Sequence, residues 1–120
     1  MWAMKRKTIR NHKDFLTQYD SPRVFSPHFI IKIKPAKIPG DARYGLIATK
    51  KTFKLAVWRN RAKRVLRDWI AYNEDLMNPD LDYIFILREP IINAVRDEGR
   101  LEMKKQLNKM SKIYSHNVSK

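Results

Sequence analysis

The chain has 120 residues, which suits one domain, and 43% of them are hydrophobic, enough to form a buried core. Its 26 lysines and arginines against 12 acidic residues give a formal charge of +14, which predicts a polyanionic partner, with nucleic acid the first candidate and an anionic membrane surface the second. No cysteine is present, so disulfides and thiolate metal sites are excluded. The sequence shows no secretory signal and no apolar run near the ~20 residues that span a bilayer, so we expect a cytoplasmic protein.

The N-terminal part begins with a basic segment, residues 1–10, that we expect to be flexible. Residues 11–19 ("NHKDFLTQY") predict a short helix, with Asn11 as its N-cap and Asp14 in its first turn, where a carboxylate is favoured. The helical spacing places three side chains on one face of this helix: Phe15, Leu16 and Tyr19.

Two strands are predicted next, after a loop over residues 20–27 that contains two prolines. Residues 28–34 ("HFIIKIK") alternate, which predicts Phe29, Ile31 and Ile33 on one face and His28, Ile30, Lys32 and Lys34 on the other. A turn-rich break follows, and residues 44–51 ("YGLIATKK") predict the second strand.

The second half of the chain predicts two longer helices around one strand. Residues 58–72 lack Gly and Pro and have a helical period, and residues 83–87 ("YIFIL") are apolar on both faces, which predicts a central strand. Residues 97–114 predict an amphipathic helix, before a frayed tail at 115–120. Its stripe would be formed by Leu101, Lys104 or Lys105, and Leu107, with Met103 and Met110 nearby. The order α-β-β-α-β-α predicts a single α+β domain, a sandwich of helices packed on a small sheet.

The predicted helix 58–72 separates its residues into two sides when it is wound at about 100° per residue. One side is apolar: Trp58, Ala62, Val65, Leu66, Trp69 and Ile70. The other side is basic and polar: Arg59, Asn60, Arg61, Lys63, Arg64 and Arg67. With Lys50, Lys51 and Lys54 just before it, the stretch from Lys50 to Arg67 holds no acidic residue.

This accumulation of like charge favours a polyanion-binding surface. An ordinary solvated helix mixes signs and gains a few tenths of a kcal/mol from each i,i+4 ion pair, whereas Arg59–Lys63 and Lys63–Arg67 repel each other. Membrane binding is less attractive because the apolar side is needed to pack on the sheet. A DNA-binding helix-turn-helix needs a partner helix, and here the predicted strands flank the basic helix on both sides. We therefore favour RNA phosphates as the ligand of this surface.

Four segments of the chain carry a family resemblance. "AVWRNRAKRVLRDW" (56–69) looks like the RNR signature of the protein subunit of bacterial ribonuclease P, and "YGLIATKK" resembles the strand that leads into that motif. "SPHFIIKI" (26–33) resembles the family's first strand, and "HKDFLTQY" (12–19) resembles its N-terminal helix. The similarity covers nearly the whole chain, from Lys5 to Tyr114.

The resemblance implies a small protein that assists a large catalytic RNA. The holoenzyme removes the 5′ leader of precursor tRNA by Mg²⁺-assisted phosphodiester hydrolysis, and both the chemistry and the metal ions belong to the RNA. The partners would be the catalytic RNA subunit and precursor tRNA, with no membrane and no obligate protein partner. The family also implies a left-handed βαβ crossover at the RNR helix, where general topology rules predict a right-handed one.

The resemblance also implies binding roles for particular residues. The RNA-binding set comprises Lys50, Lys51, Arg59, Asn60, Arg61, Lys63, Arg64 and Arg67. The leader-binding set, from the family's cleft between the N-terminal helix and the sheet, comprises Phe15, Tyr19, Ile30 and Lys32. Lys32 stands where other members place an aromatic residue, so we expect it to contribute charge.

Two other hypotheses stay open at this point. The first is a ribosomal or other structural RNA-binding protein with the same basic α+β design. The second is a metal-dependent nuclease that acts unaided, but it lacks a set of carboxylates placed to hold two metal ions. Asp80, Asp82, Asp97 and Glu98 are better explained by turns and helix starts, so no catalytic or metal-binding residue is predicted. We expect Trp58 and Trp69 to be core residues.

Overall fold

The computed structural model describes residues 6–15 and 21–118, and in these residues a mixed sheet carries helices on one face. The strands are β1 (Lys7–Thr8), β2 (Arg23–Phe25), β3 (Phe29–Pro35), β4 (Arg43–Ile47) and β5 (Leu81–Leu87). The α-helices are α1 (Ala56–Tyr72) and α2 (Arg96–Val118), and 3₁₀ helices lie at His12–Phe15, Glu74–Leu76 and Glu89–Asn93. The predicted α+β class is confirmed.

The sheet has the strand order β1-β4-β5-β3-β2. β5 lies at its centre, pairs parallel with β4 and antiparallel with β3, and is buried at every position from Leu81 to Phe85. This confirms the central position that its apolar residues predicted. α1 joins β4 to β5, because parallel neighbours need a crossover connection. The left-handed sense of this crossover, implied by the resemblance, remains a prediction.

The hydrophobic core lies between the sheet and the two α-helices of the described chain. Phe29, Ile31 and Ile33 of β3 are at most 2% exposed, so the predicted alternation is confirmed. The side chains that pack against the sheet from the helices are all 0% exposed: Ala62, Leu66, Trp69, Ile70, Met103, Leu107 and Met110. The opposite face of the sheet therefore carries no α-helix among the described residues.

The two edge strands, β1 and β2, were not predicted. β2 lies in the segment predicted to be a loop, where its three residues between Pro22 and Pro27 are too few to show an alternation. It pairs antiparallel with β3. β1 lies in the basic segment predicted to be flexible, pairs parallel with β4, and is followed by Ile9, which is 3% exposed.

The predicted helix over residues 11–19 is a 3₁₀ helix, His12–Phe15, in its described part. Asn11 caps it as predicted, since its Oδ1 accepts a hydrogen bond from the Lys13 N–H at 3.0 Å. Leu16 and Tyr19 lie outside the described residues. In α2 the prediction for Leu101 was wrong, because it is 67% exposed while Met103 is buried. Residues two apart on a helix are about 200° apart and cannot share a stripe.

α1 and α2 approach each other closely at Trp69 and Gly99. The indole of Trp69 is fully buried, and a Cβ atom at position 99 would overlap its six-membered ring. Glycine in a helix normally costs about 1 kcal/mol relative to alanine, so Gly99 by itself weakens the start of α2. The structure explains it as the residue that lets the indole lie against the backbone of α2.

We therefore expect Gly99→Ala to lower the free energy of unfolding. The gain in helix propensity, about 1 kcal/mol, is smaller than the penalty for overpacking a rigid indole, typically ~1–3 kcal/mol. Urea unfolding measures the difference, and Asn108→Ala, at an exposed position of α2, serves as the matched control in which propensity acts alone. A Gly99→Ala protein at least as stable as the wild type would contradict this packing.

Candidate nucleic-acid interface

The solvent side of α1 is cationic, as its sequence predicted. Asn60, Arg61, Arg64 and Arg67 are exposed, while Lys63 is partly buried. In α1, every residue of which the structure describes, the first turn holds no carboxylate to offset the positive end of the helix dipole. We call this surface the cationic face, and define it by the residues Lys50, Lys51, Arg59, Asn60, Arg61, Lys63, Arg64 and Arg67.

Arg59 also has a structural contact. It is partly buried, and its Nη1 donates hydrogen bonds to the carbonyl oxygens of Phe53 at 2.9 Å and Lys54 at 3.2 Å. These bonds hold the loop that precedes α1 against the first turn of the helix. Lys50 and Lys51, exposed in the turn after β4, are thereby kept near the start of the cationic face.

Asp68 interrupts the basic side of α1 because it joins α1 to α2. Its two carboxylate oxygens accept hydrogen bonds from Arg100 at 2.8 and 3.0 Å, and this pairing raises the pKa of the guanidinium. The Arg100 guanidinium also lies over the ring of Tyr72, at 4.5 Å from the centroid. The negative charge of Asp68 is therefore matched at the helix–helix contact.

Among the described residues, the other charges of the cationic face are not matched by a carboxylate in this way. Among residues 6–15 and 21–118, no carboxylate forms an ion pair with any lysine or arginine of this face. Neighbouring cations four residues apart on a helix repel one another and lower its stability slightly. A surface of this kind is suited to a ligand with many negative charges.

The open face of the sheet, opposite the helices, presents rows of side chains that cross the strands. The strand registers place Ile47, Ile86, Ile30 and Phe25 in one row, and Gly45, Ile84, Lys32 and Arg23 in the next. Ile30, Lys32 and Ile86 are partly exposed, and Phe25 at the sheet edge is 58% exposed. This face therefore combines apolar surface with positive charge.

Phe15 lies on this open face, where Gly45 makes room for its ring. A Cβ atom at position 45 would overlap Cε1 of Phe15, and the ring itself is partly exposed. A single glycine inside a strand is a recognised sign of a close approach, so Gly45 carried a usable signal that the sequence analysis did not use. Phe25 carried none, because its strand is too short to show a pattern.

Three linked ion pairs hold the 3₁₀ helix His12–Phe15 on the sheet. Arg43 of β4 donates to Asp14 at 2.9 Å and to Asp82 of β5 at 3.0 Å, and Lys37 lies 2.7 Å from the other oxygen of Asp14. Asp14 is only 6% exposed. Hydrogen bonds from Lys37 and then from Arg43 lower the pKa of Asp14 to about 2. This network sets the position of Phe15 above Gly45.

Several sequence predictions about this region need correction or fall outside it. His28 was placed on the open face, but it precedes β3 at a bend and its ring contacts Trp69 edge-on at 5.7 Å on the core side. Trp58 was placed in the core and is 41% exposed. Tyr19 lies outside the described residues. Phe15, Ile30 and Lys32 do share the open face, and their leader-binding role remains a prediction.

The described residues do not offer a metal site of the usual kind. In the described part of the chain, no group of three or more His, Cys, Asp or Glu side chains lies close enough together to hold a metal ion. The buried carboxylates Asp14 and Asp82 are engaged by Arg43 instead. Nor does any helix in the same residues have the length and apolar character needed to cross a membrane.

The Asp14 network predicts a pH dependence of stability. The pKa of Asp14 falls from its ordinary 3.8 to about 2 on folding, so its stabilising effect is complete above the unfolded value and is lost as the pH falls through the folded one. The difference in unfolding free energy between wild type and Asp14→Asn should narrow between about pH 4 and pH 2. Chemical denaturation across this range measures it.

The control for this experiment is Asp75→Asn, which removes an exposed carboxylate. Its stability difference from the wild type should stay small and nearly constant over the same range. A difference between wild type and Asp14→Asn that does not narrow in acid would show that Asp14 is not held by its cationic neighbours.

Comparisons with known proteins agree with this architecture. A family model described as Ribonuclease P matches residues 3–111 of the chain. The ribonuclease P protein component of Marinobacter nauticus is 34% identical over 119 residues, which cover 92% of this chain and 88% of the relative. The corresponding protein of Lactobacillus delbrueckii subsp. bulgaricus is 35% identical over 85 residues, 70% of each chain.

Solved structures show the same fold. The RNase P protein of Staphylococcus aureus superposes with a TM-score of 0.65 at 26% identity, covering 92% of this chain and 96% of that one. The RNase P protein from Thermotoga maritima gives a TM-score of 0.71, covering 87% and 97%, and at 19% identity it supports the fold alone. From the family match over residues 3–111 and the identity to its relatives, we conclude that this chain belongs to the Ribonuclease P family.

Proposed function

We propose that this chain is the protein component of ribonuclease P, the endoribonuclease that removes the 5′ leader from precursor tRNA. In this proposal the cationic face of α1 binds the catalytic RNA subunit, and the open face of the sheet binds the leader. The observation that carries it is the cationic face itself, whose basic residues have no carboxylate partner among the described residues. Family membership makes RNA the polyanion.

The cationic face suits the phosphates of a folded RNA. Arginine donates two parallel hydrogen bonds to a phosphate, and Arg61, Arg64 and Arg67 are exposed at intervals of three along α1. An RNA helix is recognised mainly by its shape, phosphates and 2′-hydroxyl groups, because its deep major groove does not admit side chains. A rigid helix with a row of guanidinium groups can follow such a backbone without reading its sequence.

The open face of the sheet suits a single strand. Unpaired nucleotides bind where aromatic or apolar platforms contact bases and cations contact phosphates, largely without sequence preference. Phe15 above Gly45, Ile30 and Lys32 provide these two kinds of contact. Such a face could hold leaders of many different sequences, as the processing of different precursor tRNAs requires.

With both proposed surfaces used for RNA binding, the proposal assigns no bond-breaking step to this chain. Magnesium ions, which we place with the RNA subunit, would activate water and stabilise the developing charge in phosphodiester hydrolysis. The residues of this chain would bind the two RNAs, orient the leader and neutralise backbone charge on each of them. Because precursor tRNA in a bacterium is processed in the cytoplasm, that is the compartment we assign.

Reconstitution tests the proposed function. The purified chain is added to a bacterial-type ribonuclease P RNA at low Mg²⁺, and cleavage of precursor tRNA at the mature 5′ end is measured. We expect the chain to stimulate cleavage by the RNA and to cleave nothing by itself. Turnover by a nuclease-clean preparation without RNA would overturn the mechanism. A chain that binds RNA but gives no stimulation would favour a structural RNA-binding protein.

The cationic face yields a second expectation. Each phosphate contact contributes about 0.9 to the slope of log K against log salt on a duplex, so Arg61→Gln/Arg64→Gln should weaken binding to the RNA subunit and flatten the slope by about one to two units. Both side chains are exposed, so the fold should survive. The affinity is measured by filter binding over a series of salt concentrations.

The matched control is Lys104→Gln/Lys105→Gln, which removes the same charge from exposed positions of α2. This variant should leave the slope nearly unchanged, because α2 lies outside the proposed surface. Equal effects of the two double variants would mean that only net charge matters and that α1 has no special role.

A further inference from the structure

Trp58 is exposed where the sequence predicted a core residue. α1 begins at Ala56, but its first buried residue is Ala62, so the first turn of the helix extends past the core. As a result Trp58 is 41% exposed, beside Leu55 at 59% and Val57 at 64%. Tryptophan is highly buried on average, so the free surface of this indole marks it as a candidate contact.

The exposed indole lines a cleft of about 440 Å³, a volume within the ~300–1,000 Å³ typical of small-ligand sites. The cleft lies between the start of α1, the loop before it and the 3₁₀ helix Glu89–Asn93. Its walls combine an aromatic ring, two lysines and a polar edge, and the residues that matter here are Lys51, Phe53, Lys54, Trp58, Glu89 and Asn93.

The cleft is held in shape by contacts already present in the free chain. The Arg59 guanidinium donates to the carbonyl oxygens of Phe53 and Lys54, and the Phe53 side chain is 3% exposed. The loop that carries Lys51 and Lys54 is therefore tied to the first turn of α1. A platform fixed in this way loses little conformational freedom when a ligand binds.

The chemistry of the walls matches an unpaired nucleotide. An indole face stacks on any base, and a lysine ammonium group binds a phosphate as a point charge. Asn93 can both donate and accept hydrogen bonds, and Glu89 can accept from exocyclic amino groups, so the polar edge can contact a base edge. An apolar protein segment would use the indole but would leave Lys51 and Lys54 beside it without partners.

We propose that this cleft binds one unpaired nucleotide of an RNA, with its base stacked on Trp58 and its phosphate at Lys51 and Lys54. The proposal rests on the proposed function, and adds a stacking contact to a surface otherwise explained by phosphates alone. The nucleotide comes either from the RNA subunit or from precursor tRNA, and both sources share this chemistry.

The test compares Trp58→Leu, which removes the ring, with Trp58→Phe, which keeps one. Affinities are measured for a bacterial-type ribonuclease P RNA and, with the holoenzyme, for precursor tRNA. For the RNA that supplies the nucleotide, Trp58→Leu should weaken binding about 5- to 150-fold, the range of one base–aromatic stack. Trp58→Phe should restore most of the affinity. Neither variant should change the salt slope, because no charge is removed.

Melting temperatures and the Arg61→Gln/Arg64→Gln variant complete the test. Unchanged affinity of Trp58→Leu for both RNAs would overturn the cleft, while a weakened arginine variant in the same assay would leave the proposed function standing. Equal losses for Trp58→Leu and Trp58→Phe, accompanied by lower melting temperatures, would also overturn it in favour of a packing role. If the wild-type chain binds neither RNA, the proposed function fails, and the cleft with it.

Discussion

The helix α1 carries many like charges that repel one another, and its packing against the sheet and α2 must outweigh this repulsion. Ala62, Leu66, Trp69 and Ile70 bury one stripe of α1, and Gly99 lets the Trp69 indole lie against the neighbouring helix. Burial of a large apolar side chain contributes roughly 1.5–3 kcal/mol, several times the repulsion of one pair of like charges on a helix surface. The core can therefore support the cationic face despite the repulsion between its charges.

The two faces of the sheet follow from the same arrangement. Because both α-helices of the described chain cover one face, the other is left to the 3₁₀ helix His12–Phe15, which Arg43 fixes through Asp14 and Asp82. The surface we propose for the RNA subunit and the surface we propose for the leader thus lie on opposite sides of one sheet. A chain of this size could then hold the substrate beside the RNA without either RNA displacing the other.

Much of this architecture could be predicted from the sequence, because burial imposes strong periodic patterns. β3 alternates, β5 is apolar on both faces and α1 divides cleanly, so the core and the cationic face were both anticipated. Edge strands of two or three residues have no such pattern. β1 forms by pairing with β4, which is distant in the chain, and β2 pairs with β3, which follows it after a short connection.

The errors at Trp58 and His28 have a common cause. A helical wheel or a strand alternation predicts the direction in which a side chain points. It does not predict how far along the helix or strand the packing against the neighbouring element extends. Trp58 points to the side of α1 that is apolar, but it precedes the buried part of the helix. His28 lies before β3 begins, at a bend that turns its ring towards Trp69. The family resemblance implied what periodicity could not indicate, namely that the expected partners are RNAs.

The central claim is that the open face of the sheet holds the leader, and Phe15→Ala tests it most directly. Holoenzyme affinities for precursor and mature tRNA are compared for wild type, Phe15→Ala and Phe15→Leu, which keeps apolar bulk above Gly45 but removes the ring. We predict that both variants bind precursor tRNA more weakly, about 5- to 150-fold for one lost stack, while mature tRNA and the RNA subunit bind as before. Unchanged discrimination between the two tRNAs, with a lower melting temperature for Phe15→Ala, would contradict the claim and make Phe15 a core residue.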